Sequence, residues 1–217
     1  MKMKILLVPA LLVVSGASAI AQIKKGALFL GGQLSFKSSS IKSNDVNTGE
    51  NVKSFSIMPA AGKAIRENLV LGADVSYQYS ENGLVNPKIT KSNLYGIGFF
   101  VRKYRQLGKG FYLFGQARAG GAYSTKEYTD YFPQQPFGTS LHGYDLQLGV
   151  YPGVAYAAGR RFQLEAGFNN VGYVNYSHSR ATAGSNPAGS HSYDNFSLGS
   201  SLSDSGGFTV GFRVLLN

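Results

Sequence analysis

Along most of this chain hydrophobic residues alternate with small or polar ones at a period of two. That is the pattern of β-strands whose two faces meet different surroundings. In residues 27–37, Leu28, Leu30, Leu34 and Phe36 share one parity, and Gly31, Gln33, Ser35 and Lys37 share the other. The alternation recurs over residues 54–62, 69–79, 95–102, 111–123, 145–156, 162–169 and 208–216, which predicts eight strands. Phe196, Leu198 and Leu202 also alternate. They predict an earlier start for the last strand, through a bulge near Gly206-Gly207. Short connections near residues 65–68, 105–110 and 157–161 take turns with long polar segments at 38–53, 80–91, 124–140 and 177–195. An up-and-down arrangement then puts every long loop at one end, and the short turns and both termini at the other. This is the layout of a bacterial transmembrane barrel.

Alternation alone does not say which face is outside, because a soluble lipocalin-like barrel alternates too, with its apolar face inward. The content of the polar parity decides. A water-facing surface is dense in charge, whereas this parity is mostly Gly, Ser, Gln and Ala. Small residues suit the narrow interior of an eight-stranded barrel. Its few charges are of both signs: Asp74, Arg102, Arg118, Asp145, Glu165 and Arg213. Buried charges persist when paired, so Asp74, Arg102, Arg118, Glu165 and Arg213 are read as an interior polar ladder. Tyr and Phe gather toward strand ends, as in the aromatic girdles of membrane barrels. The reading is a lipid-facing apolar band around a filled interior.

Composition narrows this further. Charged residues are 15% of the 217-residue chain, with 28 Gly, 14 Tyr, 14 Phe and no Cys or Trp. Disulfides, thiolate metal sites, cysteine nucleophiles and a lipid-modified N-terminal cysteine are excluded. Residues 1–21 carry Lys2 and Lys4, an apolar core over residues 5–14 and a small-residue stretch ending in two A-x-A sites. They read as a cleaved signal peptide, leaving residues 22–217 as one barrel domain of an exported protein. The formal charge of +10 falls to +8 without the two leader lysines. In an exported chain that excess points to lipopolysaccharide phosphates or acidic glycans, not to nucleic acid.

Several stretches carry a family likeness: "FSIMPAAGKAIRENLVLGADVSY", "GIGFFVRKYRQLGKGFYLFGQARAGGAY", "LGVYPGVAYAAGRRFQLEAGF" and the terminal "GGFTVGFRVLLN". Together they resemble the small outer-membrane β-barrel family, the OmpA/OmpX-like barrels of Bacteroidota-type bacteria, over essentially the whole mature chain. The resemblance implies an eight-stranded, monomeric outer-membrane barrel, placed there by the assembly machinery, and seldom implies a chemistry. Arg102 in Phe100-Val101-Arg102 and Glu165 in Leu164-Glu165-Ala166 match as interior polar positions. The chain departs from the family in ending Leu215-Leu216-Asn217 where such barrels often end in Phe. With nothing after the last strand, a cell-wall tether is not expected.

Candidate chemistry is sparse. The histidines are His142, His178 and His191, and residues 177–194 bring Ser, His and Asp into one polar segment. A Ser–His–Asp set works through geometry that sequence proximity alone does not supply. No catalytic, cofactor or metal residue is therefore assigned, and the alternatives are a lipid A-modifying hydrolase using His178 or His191, or a soluble lipocalin-like ligand-binding barrel. Solute transport is not expected, since porins need about 16 strands. The third long segment carries Tyr128, Tyr131 and Phe132. They are either a contact patch for a surface partner or an extension of strands five and six, and the extension is favoured.

Overall fold

The computed structural model describes residues 23–41, 50–84, 88–132, 135–168, 171–183, 191–200 and 208–216. The expected signal peptide lies outside them. Ten strands are described: β1 (Leu28–Ile41), β2 (Glu50–Arg66), β3 (Leu69–Leu84), β4 (Lys88–Gly108), β5 (Phe111–Phe132), β6 (Gln135–Ala157), β7 (Phe162–Phe168), β8 (Gly172–Ala183), β9 (His191–Gly199) and β10 (Phe208–Leu216). All pairings are antiparallel. They run from β1 to β7 in sequence order, then from β7 to β10 and from β10 back to β1, which closes the sheet into a barrel. Where the ring closes through β10 no edge is left unpaired, as a membrane-spanning sheet requires; beyond that level, among the described residues, β9 pairs with β8 alone and residues 35–41 of β1 pair with β2 alone.

The count of ten differs from the expected eight for a local reason. β7 and β8 both pair with β6, β7 through Gly153↔Gly167 and β8 through Val150↔Gly172. The step between these registers leaves two more residues on the β7–β8 side than on β6, a bulge that divides one run of alternation into two strands. β9 then pairs with β8, and β10 with β7 and β1. The bulge expected near Gly206-Gly207 lies outside the described residues.

The expected long loops are largely strand instead. β5 and β6 stay paired out to Phe132↔Gln135, and β2 and β3 out to Glu50↔Leu84. Strands as long as the 23 residues of β6 far exceed the roughly 9–11 residues that a tilted strand needs to cross a bilayer. Ser, Thr and Asn alternate well enough to carry the ladder onward, and polarity alone misread these arms as loop.

At the opposite end the connections are tight. Asn68 takes a left-handed conformation (φ 58°) and its carbonyl accepts from Tyr104 N–H at 2.8 Å. Lys109 (φ 49°) is flanked by Gly108 and Gly110, both also at positive φ. The N-terminal segment closes this end from below. Gly26 N–H donates to the Ala64 carbonyl, Asn68 N–H donates to that of Ile23, and the Ile23 side chain is buried.

Side-chain directions settle the question of faces. Phe99 is 65% exposed and Leu148 56%, while Arg102 and Arg213 are buried at 1% and 2%. The apolar parity faces outward and the small or polar parity inward, the reverse of a lipocalin. The outward band has two aromatic borders. Tyr77, Tyr95, Tyr123 and Tyr144 face one another across four successive strands. Near the short turns Phe111 lies tilted against Tyr156 with ring centres 4.8 Å apart, and Phe162 stacks with Phe212 at 6.2 Å. On β4 the stretch from Tyr95 to Lys103 is about nine residues, the length of a membrane crossing.

Candidate functional site

The interior has two levels. Near the short turns it is packed with apolar side chains: Phe29, Val70, Phe100, Tyr104, Tyr112 and Phe114 are all buried. The aromatics among them occupy the inward parity, which is the signal the sequence carries for them. Their packing depends on glycines of the neighbouring strand. Gly72 lies opposite Phe100 and Gly153 opposite Phe114, and a Cβ at either glycine would strike the facing ring. A ring thus covers the space a missing side chain leaves, as aromatic residues do over sheet glycines.

On this floor sits the first charge cluster. Glu165 on β7 accepts from Arg102 of β4 at 2.6 Å and lies 3.3 Å from Arg213 Nε of β10. The second contact is an ion pair without hydrogen-bond geometry, since neither atom has a hydrogen-bond partner. Arg102 also donates from Nε to Gln116 at 2.7 Å and from Nη1 to Tyr104 at 3.1 Å. Its guanidinium stacks 4.4 Å from the Phe114 ring centre, a cation–π contact strengthened by the loss of water. Below it, Gln163 is fully buried with no partner for its amide among the described residues.

The second cluster is Arg118 of β5 with Asp74 of β3. Arg118 reaches both carboxylate oxygens, with distances of 2.6, 2.9 and 3.1 Å. It does so across β4, and the sequence clears the path. Gly98 stands opposite both Asp74 and Gly120, and a Cβ at either glycine would meet the Arg118 guanidinium. All five residues of the expected ladder therefore face inward, but as two separate groups. Asp145, also inward, is only half-buried and lies near Lys126 and Ser124.

Above these clusters the interior is hollow, which differs from the expected filled barrel. A cavity of about 770 Å³ lies over Arg118, Gln116 and Phe114, walled mainly by small polar side chains such as Ser56, Ser76, Gln78, Gln147, Asn175 and Ser177. The clusters form its floor.

His142 and His178 share the outward parity of Tyr144 and Tyr176 at the mouth of this cavity, and His191 stands opposite Ala181 at the start of β9. His178 Nδ1 is 2.9 Å from Asp194 Oδ1, Tyr176 donates to the same oxygen at 2.7 Å, and the His178 ring stacks on Tyr144 at 5.2 Å. These two donors hold the exposed Asp194 carboxyl below its usual range. His142 contacts the Tyr123 hydroxyl at 3.1 Å. No group of three or more His, Asp and Glu residues able to hold a metal occurs among the described residues. Tyr128, Tyr131 and Phe132 fall on the far end of β5, where the backbone continues the strand; their side chains lie outside the described residues.

The remaining charges are segregated by height. Beyond the tyrosine row, Lys53, Glu81, Lys91 and Glu127 oppose one another across four strands with alternating sign. At the other end β2 carries Lys63 and Arg66, β4 carries Lys103 and Arg105, the β4–β5 turn carries Lys109, and the β6–β7 turn carries Arg160 and Arg161. Lys24 and Lys25 lie beside them, and every one of these side chains is exposed. Glu67 is the sole acid among them.

A closed antiparallel barrel with an apolar exterior, two aromatic borders and an interior of ion pairs is a transmembrane β-barrel of the outer-membrane type. One solved structure supports the fold. A major outer membrane protein from Thermus thermophilus aligns with a TM-score of 0.50 at 10% identity, over 88% of this chain and 99% of that one. Neisserial surface protein A aligns with a TM-score of 0.36 at 18% identity (88% and 97% covered). The translocator domain of the autotransporter NalP from Neisseria meningitidis aligns with a TM-score of 0.42 at 10% identity (88% and 87% covered). No protein-family model and no curated protein matches the chain.

Proposed function

We propose that this protein is an integral outer-membrane barrel with a structural or surface-interaction role and no catalytic chemistry. The observation that carries the reading is the outward band of Leu, Val, Ile and Phe between the two aromatic borders. Water would not tolerate so continuous an apolar surface on a monomer, whereas hydrocarbon requires it. In this reading the chain is exported behind a cleaved signal peptide and inserted by the outer-membrane assembly machinery as a monomer. Membrane lipid surrounds the band, and lipopolysaccharide surrounds the long strand arms. Those arms project the surface on which a partner would act, since exposed segments on a rigid scaffold are where binding concentrates. The test is gel mobility of the mature protein folded in detergent, with and without boiling. A faster unboiled band that shifts on heating is the expected result. A single unshifted band from protein that stays soluble without detergent would refute the reading.

One observation favours a second reading, a lipid A-modifying hydrolase. The His178–Asp194 contact supplies a base with an orienting carboxylate, which is two parts of a nucleophilic triad. Expression should then change the mass of lipid A, and His178→Ala should abolish that change. An unaltered lipid A profile sinks this alternative and leaves the first reading standing.

A further inference from the structure

The basic excess is not where lipopolysaccharide would meet it. On the long arms one row of cations is matched in place: Lys53 faces Glu81, Glu81 faces Lys91, and Lys91 faces Glu127, while Lys126, opposite Ser92 and Leu141, has the Asp145 carboxylate near it. Opposite charges directly across a ladder satisfy one another. The short-turn end has no such matching. Lys63 faces Leu71, Lys103 faces Leu69 and Gly115, and Arg105 faces Leu113. Among the described residues, nine exposed Lys and Arg side chains share this end with Glu67 alone.

The height of this collar is set by its neighbours. Ile65 and Leu107 are exposed between the cations, and the Phe111–Tyr156 and Phe162–Phe212 pairs form the adjacent border of the apolar band. Long basic side chains in this position lay their stems on apolar surface and lift their charges to the headgroup layer. We infer that the short-turn end is a binding collar for anionic phospholipid headgroups of the leaflet it faces. The phosphates of those lipids supply the countercharge that the protein itself omits. The inference rests on the membrane reading above, and it assigns the basic charge to phospholipid at the end opposite the long arms. Unpaired cations at a membrane surface attract anionic lipid, and salt screens that attraction.

The experiment reconstitutes the folded protein into phosphatidylcholine vesicles with spin-labelled phosphatidylglycerol or spin-labelled phosphatidylcholine. It reads the relative association of each label with the barrel surface. The native protein should prefer phosphatidylglycerol by roughly fivefold, the equivalent of one Lys or Arg per contacting headgroup, and added salt should reduce that preference. The variant Lys63→Gln/Arg66→Gln/Lys103→Gln/Arg105→Gln should lose most of it, and Lys53→Gln/Lys91→Gln should keep it. Lys24→Gln/Lys25→Gln/Lys109→Gln changes other members of the same collar and should lower it as well, so the outcome does not hang on one variant's folding. No preference in the native protein, or equal loss in the Lys53/Lys91 control, overturns the collar. Heat-shifted mobility is measured on the same samples. A barrel that inserts without lipid preference refutes only the collar, and a protein that fails to insert refutes the membrane reading beneath it.

Discussion

Glu165 holds two buried guanidinium groups, so removing its charge is the most informative single perturbation. Glu165→Gln preserves size and an accepting oxygen while leaving Arg102 and Arg213, both nearly without solvent contact, lacking a counterion. Breaking a buried ion pair by removing one partner costs about 3–5 kcal/mol. For a urea dependence of about 2 kcal/mol per molar, that lowers the unfolding midpoint by roughly 1.5–2.5 M. Arg102→Leu should be milder. It would strand the carboxylate if Arg102 were the only partner, but Arg213 also sits at Glu165, 3.3 Å away. The change therefore takes the cluster from one surplus positive charge to neutrality. What is lost is the hydrogen bonding to Gln116 and Tyr104 and the stacking on Phe114, about 2–3 kcal/mol at the usual cost of unsatisfied buried groups. Replacing all three charged residues by Met and Leu should approach native stability, as apolar replacement of buried ion clusters often does. The assay is urea unfolding in detergent micelles, followed by far-ultraviolet circular dichroism and by loss of the compact gel band. A native midpoint for Glu165→Gln, or a larger loss for Arg102→Leu, would refute the reasoning.

Three further outcomes follow from single contacts. Gln163→Met removes a buried amide that has no partner among the described residues, so the unfolding free energy should stay level or rise by up to about 1–2 kcal/mol; a clear fall in the urea midpoint would contradict the burial argument. Gly98→Val places a side chain where the Arg118 guanidinium crosses to Asp74, so it should destabilise, and combining it with Asp74→Asn should cost less than the two separate losses added; simple additivity would show that the path over Gly98 is not what joins the pair. The Asp194 carboxyl titrates low, chiefly through the Tyr176 hydroxyl and then His178. Its support for the β8–β9 pairing is therefore full above the ordinary carboxylate value, about pH 4, and lost as pH falls through the lowered value. Hydrogen exchange in β9, corrected for intrinsic rates, should accelerate only in that acid range, and Asp194→Asn should show the faster exchange already at neutral pH.

The barrel was legible in the chain because period two survives in every strand and the polar parity is too poor in charge to face water. The aromatic borders were legible for the same reason, since Tyr77, Tyr95 and Tyr123 share the parity of Leu71, Ile97 and Leu113. The extent of the strands was less so. Residues 124–140 are polar and contain Gly and Pro, which reads as a connection, yet β5 and β6 pair through most of it. Once a ladder is held by the membrane-spanning part of a hairpin, continuing it costs little, and the backbone bonds outweigh weak local propensity. The bulge between β7 and β8 was also hidden, because it shifts register without breaking alternation for long. Pairing across strands was hidden too. That Gly98 lies between Asp74 and Gly120, and Gly72 under Phe100, depends on the offset of one strand against the next, which no single strand records.

The same offset decides what the charges do. From composition, the excess of basic residues is one number, and the long polar segments were its natural location. Register divides it into three populations with different physics. Inside, where hydration is lost, Arg102, Arg118 and Arg213 are held against Glu165 and Asp74 across distant strands, because an unpaired charge there would be too costly. On the long arms, in water, Lys53 and Lys91 alternate with Glu81 and Glu127; such exposed pairs add little stability, but they leave the arms near neutrality. At the short turns exposed cations stand opposite leucine and glycine, and Glu67 is the one acid beside them among the described residues. An unmatched collar is self-repelling, so it lowers stability unless anions from outside the chain screen it. The fold thus places its one uncompensated field at the border of its apolar band, where lipid phosphate is the nearest available countercharge.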